Sequence, residues 1–345
     1  MEKKEENGHR KPSFTARFSA WRKRHVSDSV TLVVVAAAIG ILAGFGAFLL
    51  KFFIGHITTF VTKCIQVSGH TYWLLIVPVV GIIIVSCYQR YILKQNLMHG
   101  TDRLNKDLKA RRYRLPGDLT YAPMLASTVT LGLGGSAGAE GPIATTGAAI
   151  GSNLGRILGL SPAMIRILIG CGAGAGIAGI FKSPIGGALF TLEVLKMPMT
   201  TLSVLALVIA AVCGSLTCYI CTGFTPDVNF ISVVPFDPSW IGWIIGLGLF
   251  CGLYSVYYGT VVTRMGRYFG RMRNPWLMNI LGGVILSFSI FMFPILYGEG
   301  YSVVTEVVNG NFSGLARGSI FENLITDNTA LILLVGGVLL CKCWA

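Results

Sequence analysis

The chain has 345 residues, of which 53% are hydrophobic and 12% are charged, and its mean hydropathy is +0.67. This excludes an ordinary soluble domain, in which about 25% of residues are charged, and it predicts a polytopic membrane protein. The net charge of +13 does not indicate a nucleic-acid partner, because the basic residues gather beside apolar segments.

Five uncharged runs are long enough to cross a bilayer, which takes about 20 apolar residues. They comprise residues 29–50, 71–89, 199–226, 239–263 and 274–298. Three basic clusters lie beside these runs, within residues 3–24, 94–114 and 264–273. The positive-inside rule places all three clusters in the cytoplasm. We therefore predict a multi-pass protein of the cell membrane with a cytoplasmic N-terminus.

The apolar runs also predict the domain organisation. Residues 1–28 are a basic cytoplasmic segment, 29–222 a first transmembrane repeat, 223–238 a linker and 239–345 a partial second repeat. Between residues 119 and 195 the apolar segments become short and are interrupted by glycine and proline. Such backbone is tolerated at membrane depth where it lines a cavity or is buried in protein. The predicted fold is all-α, with broken helices and an inverted repeat whose second copy is incomplete.

Glu140 carries the only charge within residues 119–155. An ionisable side chain at membrane depth is costly and indicates a functional site. Gly138 and Gly141 leave the backbone open to a ligand, and Pro142 suits the first position of a helix. The N-terminus of that helix would offer N–H groups and its positive dipole end to an anion. We predict an anion path that the Glu140 carboxylate occupies when charged and vacates when protonated.

This segment has two other interpretations. Glu140 could be a structural carboxylate that is hydrogen-bonded to a neighbouring helix. Ser136 lies in a G-x-S-x-G pattern that also marks the nucleophile of acyl hydrolases. That enzyme class places its histidine after the serine, and none of the five histidines follows Ser136. No enzyme activity, cofactor or metal site is therefore predicted.

Residues 134–142, GGSAGAEGP, resemble the CLC family of chloride channels and chloride/proton exchangers, whose signature there is GREGP. Residues 169–195, IGCGAGAGIAGIFKSPIGGALFTLEVL, are similar to that family's paired helices. The resemblance implies a homodimer in the lipid bilayer that moves chloride or another small anion. It makes Glu140 the gating glutamate and places Gly138, Gly141 and Pro142 in the anion path. Ala139 stands where the family has arginine, so a positive charge beside the path is missing.

Two further positions depart from the family pattern. The first anion-binding motif, Gly-Ser-Gly-Ile-Pro, is matched only weakly, by MHGTD, where His99 replaces the serine and Gly100 follows. An imidazole N–H could donate to an anion, and an ordinary interfacial histidine is the alternative. The acidic residue that relays protons in the exchangers corresponds to Val194. Since valine cannot relay a proton, the resemblance favours channel-like transport.

The neighbouring Glu193 keeps two interpretations, a proton role and a local ion pair with Lys196. The family's Gly-x-Phe-x-Pro signature and its anion-binding tyrosine would lie beyond Ala345, so the resemblance implies a C-terminally truncated chain. Three functions stay open: gated chloride transport, chloride/proton exchange, and a non-conducting truncated or structural membrane subunit. The anion itself is also open, with fluoride and nitrate as alternatives to chloride.

Overall fold

The structure is a computed structural model that describes residues 24–68, 72–94, 100–111, 113–226, 237–309 and 328–342. These residues form twelve α-helices and no β-strand, as the all-α prediction requires. The helices are α1 (Asp28–Ser68), α2 (Trp73–Cys87), α3 (Gly100–Lys109), α4 (Ala122–Gly132), α5 (Glu140–Ile157), α6 (Pro162–Phe181), α7 (Pro184–Val194), α8 (Thr201–Cys221), α9 (Ile241–Gly270), α10 (Pro275–Met292), α11 (Tyr301–Val308) and α12 (Asn328–Lys342). A π-helix, Tyr88–Leu93, continues α2.

Six helices among the described residues are long and apolar enough to cross a membrane, namely α1, α2 with its π-helix, α6, α8, α9 and α10. Five of them coincide with the uncharged runs of the sequence. The sixth, α6, has 20 residues and corrects the prediction that every segment between residues 119 and 195 is short. Arg166 interrupts the apolar run of α6, and five glycines lower its helix propensity. For these reasons the sequence does not predict a long helix there.

Three helices begin with a polar residue followed by proline. Ser161, Ser183 and Asn274 each accept a hydrogen bond from a backbone N–H of the first helical turn, over 3.4, 3.2 and 3.0 Å. The proline then occupies a position whose N–H would have no partner within the helix. This local chemistry divides the glycine-rich region into α6 and α7, and it fixes the start of α10.

The first compact unit comprises Met1–Leu49, Leu97–Met124 and Glu140–Thr225. Its core is α6, whose residues 168–180 are all buried. Glycines bring the neighbouring helices into backbone contact. A Cβ atom built on Gly147 would lie 2.1 Å from the carbonyl oxygen of Gly172, and one built on Gly44 would lie 2.2 Å from that of Gly214. Small residues of this kind allow helices to pack closely in a membrane, where the hydrophobic effect does not drive their association.

The second compact unit comprises Leu50–Asn96, Leu125–Ala139 and Pro226–Ala345. Within it α2 packs against α10, and Asn279 donates a 2.8 Å hydrogen bond to the Ser86 hydroxyl between them. The Tyr254 hydroxyl joins α9 to α12 through a 2.8 Å hydrogen bond to the carbonyl oxygen of Leu339. In the described structure α9 buries none of its residues, which suits a helix in contact with lipid.

The proposed division into repeats stays a prediction. Most of the N-terminal segment, residues 1–23, and most of the linker, residues 227–236, lie outside the described residues. The first helix continues beyond the predicted run 29–50, because α1 has 41 residues and ends at Ser68.

Candidate functional site

Glu140 is the first residue of α5, so the prediction that Pro142 opens this helix is wrong by two residues. Pro142 still lies in the first turn, where the missing N–H removes no intrahelical hydrogen bond. Acidic side chains are favourable at this end of a helix, because the N-terminus carries the positive end of the dipole. The carboxylate of Glu140 therefore belongs to the same helix end that would attract a free anion.

The Glu140 side chain is half-buried. Within the described ranges its carboxylate forms neither an ion pair nor a hydrogen bond. A structural carboxylate bonded to a neighbouring helix would need such a partner, so the described contacts do not favour that interpretation. A half-buried carboxylate without a protein partner is instead suited to exchange places with a ligand.

The helix behind Glu140 is held firmly in the first unit. Residues 143–149 are all buried, and the Thr145 hydroxyl donates a 2.9 Å hydrogen bond to the carbonyl oxygen of Gly141. At the other end of α5, the Ser152 hydroxyl donates to the carbonyl oxygen of Tyr113 over 2.6 Å and accepts from the Leu115 N–H over 3.0 Å. These contacts fix the helix whose first turn carries Glu140.

Residues 133–139, which belong to the second unit, lead into α5 without forming a helix. Gly134 has a φ of +100°, and a Cβ atom there would lie 2.7 Å from the Tyr297 ring, so the turn requires glycine. The Tyr297 hydroxyl donates a 3.0 Å hydrogen bond to the carbonyl oxygen of Gly132.

The predicted glycines lie where the chain is open. Gly138 is exposed, whereas the neighbouring Ala139 is only 2% exposed. A Cβ atom built on Gly141 meets no heavy atom within 4 Å, so the backbone there borders open space. Together with half-buried Pro142, these residues form a segment that leaves room for a ligand beside the first turn of α5.

A lysine that sequence reasoning missed contacts the glycine-rich segment. The Lys342 ammonium, in the last turn of α12, donates a 2.6 Å hydrogen bond to the Ser136 hydroxyl, four residues before Glu140 in the chain. The two residues are 206 positions apart. The only available signal was an isolated cation directly after the uncharged residues 328–341. It supplies a positive charge to the segment that contains Ala139.

A cavity of about 450 Å³ in the second unit includes this pair. The Ser136 hydroxyl and the Lys342 ammonium are polar groups of its lining, which otherwise consists mainly of apolar residues. Its other walls include Ile82, Tyr258, Val262, Met265, Phe269 and Leu286. An ammonium and a hydroxyl in apolar surroundings can replace the hydration of a small anion, because electrostatic attraction is stronger at low dielectric.

The remaining predicted residues lie elsewhere. His99 is outside the described residues, and Gly100 begins α3. Glu193 is exposed near the end of α7, and half-buried Val194 is the last residue of that helix. Glu193 forms no ion pair with Lys196 in the described part of the chain, so the ion-pair interpretation has no support there.

Comparison with known proteins gives consistent results. A family model described as voltage gated chloride channel matches residues 80–344. A ClcB-like protein of Ralstonia nicotianae is 29% identical over 244 residues, which cover 67% of this chain and 55% of that protein. The H(+)/Cl(-) exchange transporter ClcA of Vibrio cholerae is 26% identical over 209 residues, which cover 56% and 44%. The chain thus spans about half the length of these relatives.

The fold has solved counterparts. The crystal structure of a slow cyanobacterial Cl-/H+ antiporter is similar with a TM-score of 0.72 and 19% sequence identity, over 92% of this chain and 74% of that chain. At this identity the similarity concerns the fold alone. The prediction of an all-α, polytopic membrane fold with broken helices is confirmed.

Proposed function

The chain belongs to the voltage-gated chloride channel family, and from this premise we propose that it carries a small anion, with chloride as the first candidate, across the membrane. The observation that carries the proposal is the half-buried Glu140 carboxylate at the positive end of α5, without an ion pair or hydrogen bond in the described residues. A free anion is attracted to the same helix end. Glu140 is therefore the gating residue, beside a path formed by residues 138–142.

The proposed mechanism is competition for one place. Backbone N–H groups of the first turn of α5 replace part of the hydration shell of the anion, as in selectivity filters built from backbone groups. The charged Glu140 carboxylate binds to the same groups and excludes the anion. Protonation removes its charge and weakens that binding, so the side chain leaves and the anion enters. Flux consequently rises as the pH falls.

Lys342 supplies a positive charge to the cavity of the second unit. Its ammonium lies on Ser136 in the segment that leads to Glu140, and the supposed family arginine at position 139 is absent. The ammonium attracts the anion into the cavity, and the Ser136 hydroxyl helps to hold it there. In this assignment the Lys342 charge in α12 compensates for the positive charge that is missing at position 139.

Replacing Lys342 with methionine is expected to weaken anion binding at least about tenfold, since a hydrogen bond to a charged group contributes about 1.5–3 kcal/mol. The measurement is the chloride concentration that half-saturates efflux from liposomes. Lys342→Arg should restore most of the affinity because it restores the charge. Lys63→Met, at an exposed position of α1, is the matched control. If Lys342→Met leaves the half-saturating chloride concentration unchanged, Lys342 takes no part in anion binding.

We propose uncoupled, channel-like transport rather than exchange, because Val194 carries no group that could relay a proton. The second candidate is a chloride/proton exchanger, the activity named for the Vibrio cholerae relative. Its proton path would have to avoid Val194. Glu193, which is exposed beside Val194, is the residue through which such a path would run.

Chloride efflux from liposomes that hold the purified protein tests the function, with external pH recorded in the same run. We expect chloride to move without a stoichiometric countermovement of protons. A fixed ratio of protons to chloride would establish the exchanger instead. If no chloride moves, the third candidate, a non-conducting subunit or fragment, gains support, and a longer form of the chain that then conducts would identify it as a fragment.

We also propose a location and an oligomeric state for the protein, and an assay for its preferred anion. The basic clusters favour a cytoplasmic N-terminus in the cell membrane. The family resemblance favours a homodimer. Replacement of chloride by fluoride or nitrate in the same efflux assay would identify the preferred anion.

A further inference from the structure

A second polar cavity of about 420 Å³ lies in the second unit, where the π-helical end of α2 meets the beginning of α10. Both helices are candidate membrane spans, one ending at Leu93 and the other beginning at Pro275. The cavity therefore lies at a boundary between membrane and water. It is lined by Ser86, Gln89, Arg90, Lys94, Pro275, Trp276 and Asn279.

The lining of this cavity is basic. Arg90 and Lys94 contribute two positive charges, and no described residue of the lining is acidic. Exposed Arg271 and Arg273 precede α10 by a few residues and add positive potential at the same helix start. The remaining polar groups, a hydroxyl and two amides, can form hydrogen bonds with oxygen atoms. This combination suits a phosphate, because Arg presents parallel N–H donors to it and Lys binds it as a point charge.

Several contacts order the lining of the cavity. The Arg90 guanidinium lies 6.0 Å from the centre of the Trp276 ring, a cation–π arrangement that orients the side chain. Asn279 donates to the Ser86 hydroxyl over 2.8 Å, and Ser86 donates to the carbonyl oxygen of Ile82 over 2.6 Å. The π-helix ends at Leu93, and the next residue, Lys94, has a left-handed φ of 50° that terminates the helical run beside the cavity.

Apolar side chains next to the cavity indicate where the phosphate comes from. Tyr91 and Ile92 are 65% and 71% exposed, and Leu277 is 57% exposed. Tyr91 follows Arg90 and Leu277 follows Trp276 in the sequence, and Ile92 lies two positions from both Arg90 and Lys94. A free phosphate would gain nothing from them, whereas the acyl chains of a lipid would cover them. The surface thus matches an amphiphile, with a charged headgroup site and an apolar margin.

We propose that this cavity binds the phosphate of an anionic phospholipid of the surrounding leaflet. Arg90 and Lys94 hold the phosphate, Trp276 orients Arg90, and the acyl chains lie along Tyr91, Ile92 and Leu277. Basic pockets between membrane helices are typical sites for anionic headgroups. The site is separate from the residues assigned to the anion path. A failure of the transport proposal would therefore not contradict the proposed lipid site. Since the lipid contacts both α2 and α10, it stabilises the second unit.

The test measures the thermal unfolding of the full chain in detergent during titration with phosphatidylglycerol, phosphatidylcholine or inorganic phosphate. We expect phosphatidylglycerol to raise the unfolding temperature and the other two ligands to leave it unchanged. In Arg90→Gln/Lys94→Gln the apparent affinity for phosphatidylglycerol should fall roughly 25-fold, at about fivefold for each basic residue. The matched control is Arg264→Gln/Arg267→Gln, which removes two exposed charges of α9 outside the cavity. It should bind like the parent protein.

The other outcomes overturn the proposal. An equal stabilisation by inorganic phosphate would show a soluble anion site without lipid specificity. An equal loss of affinity in both double variants would show general attraction by surface charge. If the double variant does not fold, Lys94→Gln alone and the amount of phosphatidylglycerol that copurifies with it give the same decision. Retention of the full amount by Lys94→Gln would then count against the site.

Discussion

Replacing Glu140 with glutamine is expected to abolish the pH dependence of chloride flux. In the parent protein, flux should rise as the pH falls, by up to about tenfold per pH unit, which is the limit for one titrating group. Glutamine has a similar size but no charge at any pH, so it resembles the protonated carboxyl group. The variant should conduct at neutral pH at the rate that the parent protein reaches only in acid. Glu140→Ala should behave in the same way, because it removes the competing group altogether.

Efflux from liposomes at several external pH values measures this effect. Glu306→Gln in α11 is the matched control, since this carboxylate is also half-buried and lies outside the proposed path. It should keep the pH dependence of the parent protein. If Glu140→Gln keeps a steep pH dependence, another group gates the flux and the assignment fails. If both variants lose the dependence, the substitutions act through general electrostatics rather than through competition for one site.

Five of the six candidate membrane helices were accessible from sequence, because each contains a long uncharged run, whereas Arg166 interrupts the apolar run of α6. Residues 29–50 lie in α1, and residues 241–263 of the run 239–263 lie in α9. The isolated carboxylate of Glu140 was found for the same reason, since one charge in a long apolar region is visible without a structure. These features depend on local chemistry.

Other features depend on tertiary packing, which the local sequence does not determine. The helix start predicted from Pro142 lies two residues after the observed start of α5 at Glu140, because an acidic residue is also favourable in the first turn of a helix. The contact of Lys342 with Ser136 joins residues 206 positions apart, and no local pattern predicts it. The basic cavity exists only because the π-helical end of α2 packs beside α10.

The close contact between α5 and α6 predicts a large loss of stability when a side chain is added at Gly147. Gly147 and Gly172 face each other so closely that a Cβ atom on either would lie 2.1 or 2.0 Å from the carbonyl oxygen of the other. Both clashes involve backbone atoms, which cannot move aside as a flexible side chain can. Gly147→Ala should therefore destabilise the folded protein by on the order of 3 kcal/mol or more, the upper range for overpacking a tight core.

Thermal unfolding in detergent and the yield of monodisperse protein measure this loss. Gly246→Ala in α9 is the matched control, because a Cβ atom there meets no heavy atom within 4 Å. It should leave the unfolding temperature nearly unchanged. If Gly147→Ala unfolds at the temperature of the parent protein, α5 and α6 can separate without cost. The first turn of α5 would then not be fixed by its packing on α6, and competition at Glu140 would need another element to position the carboxylate.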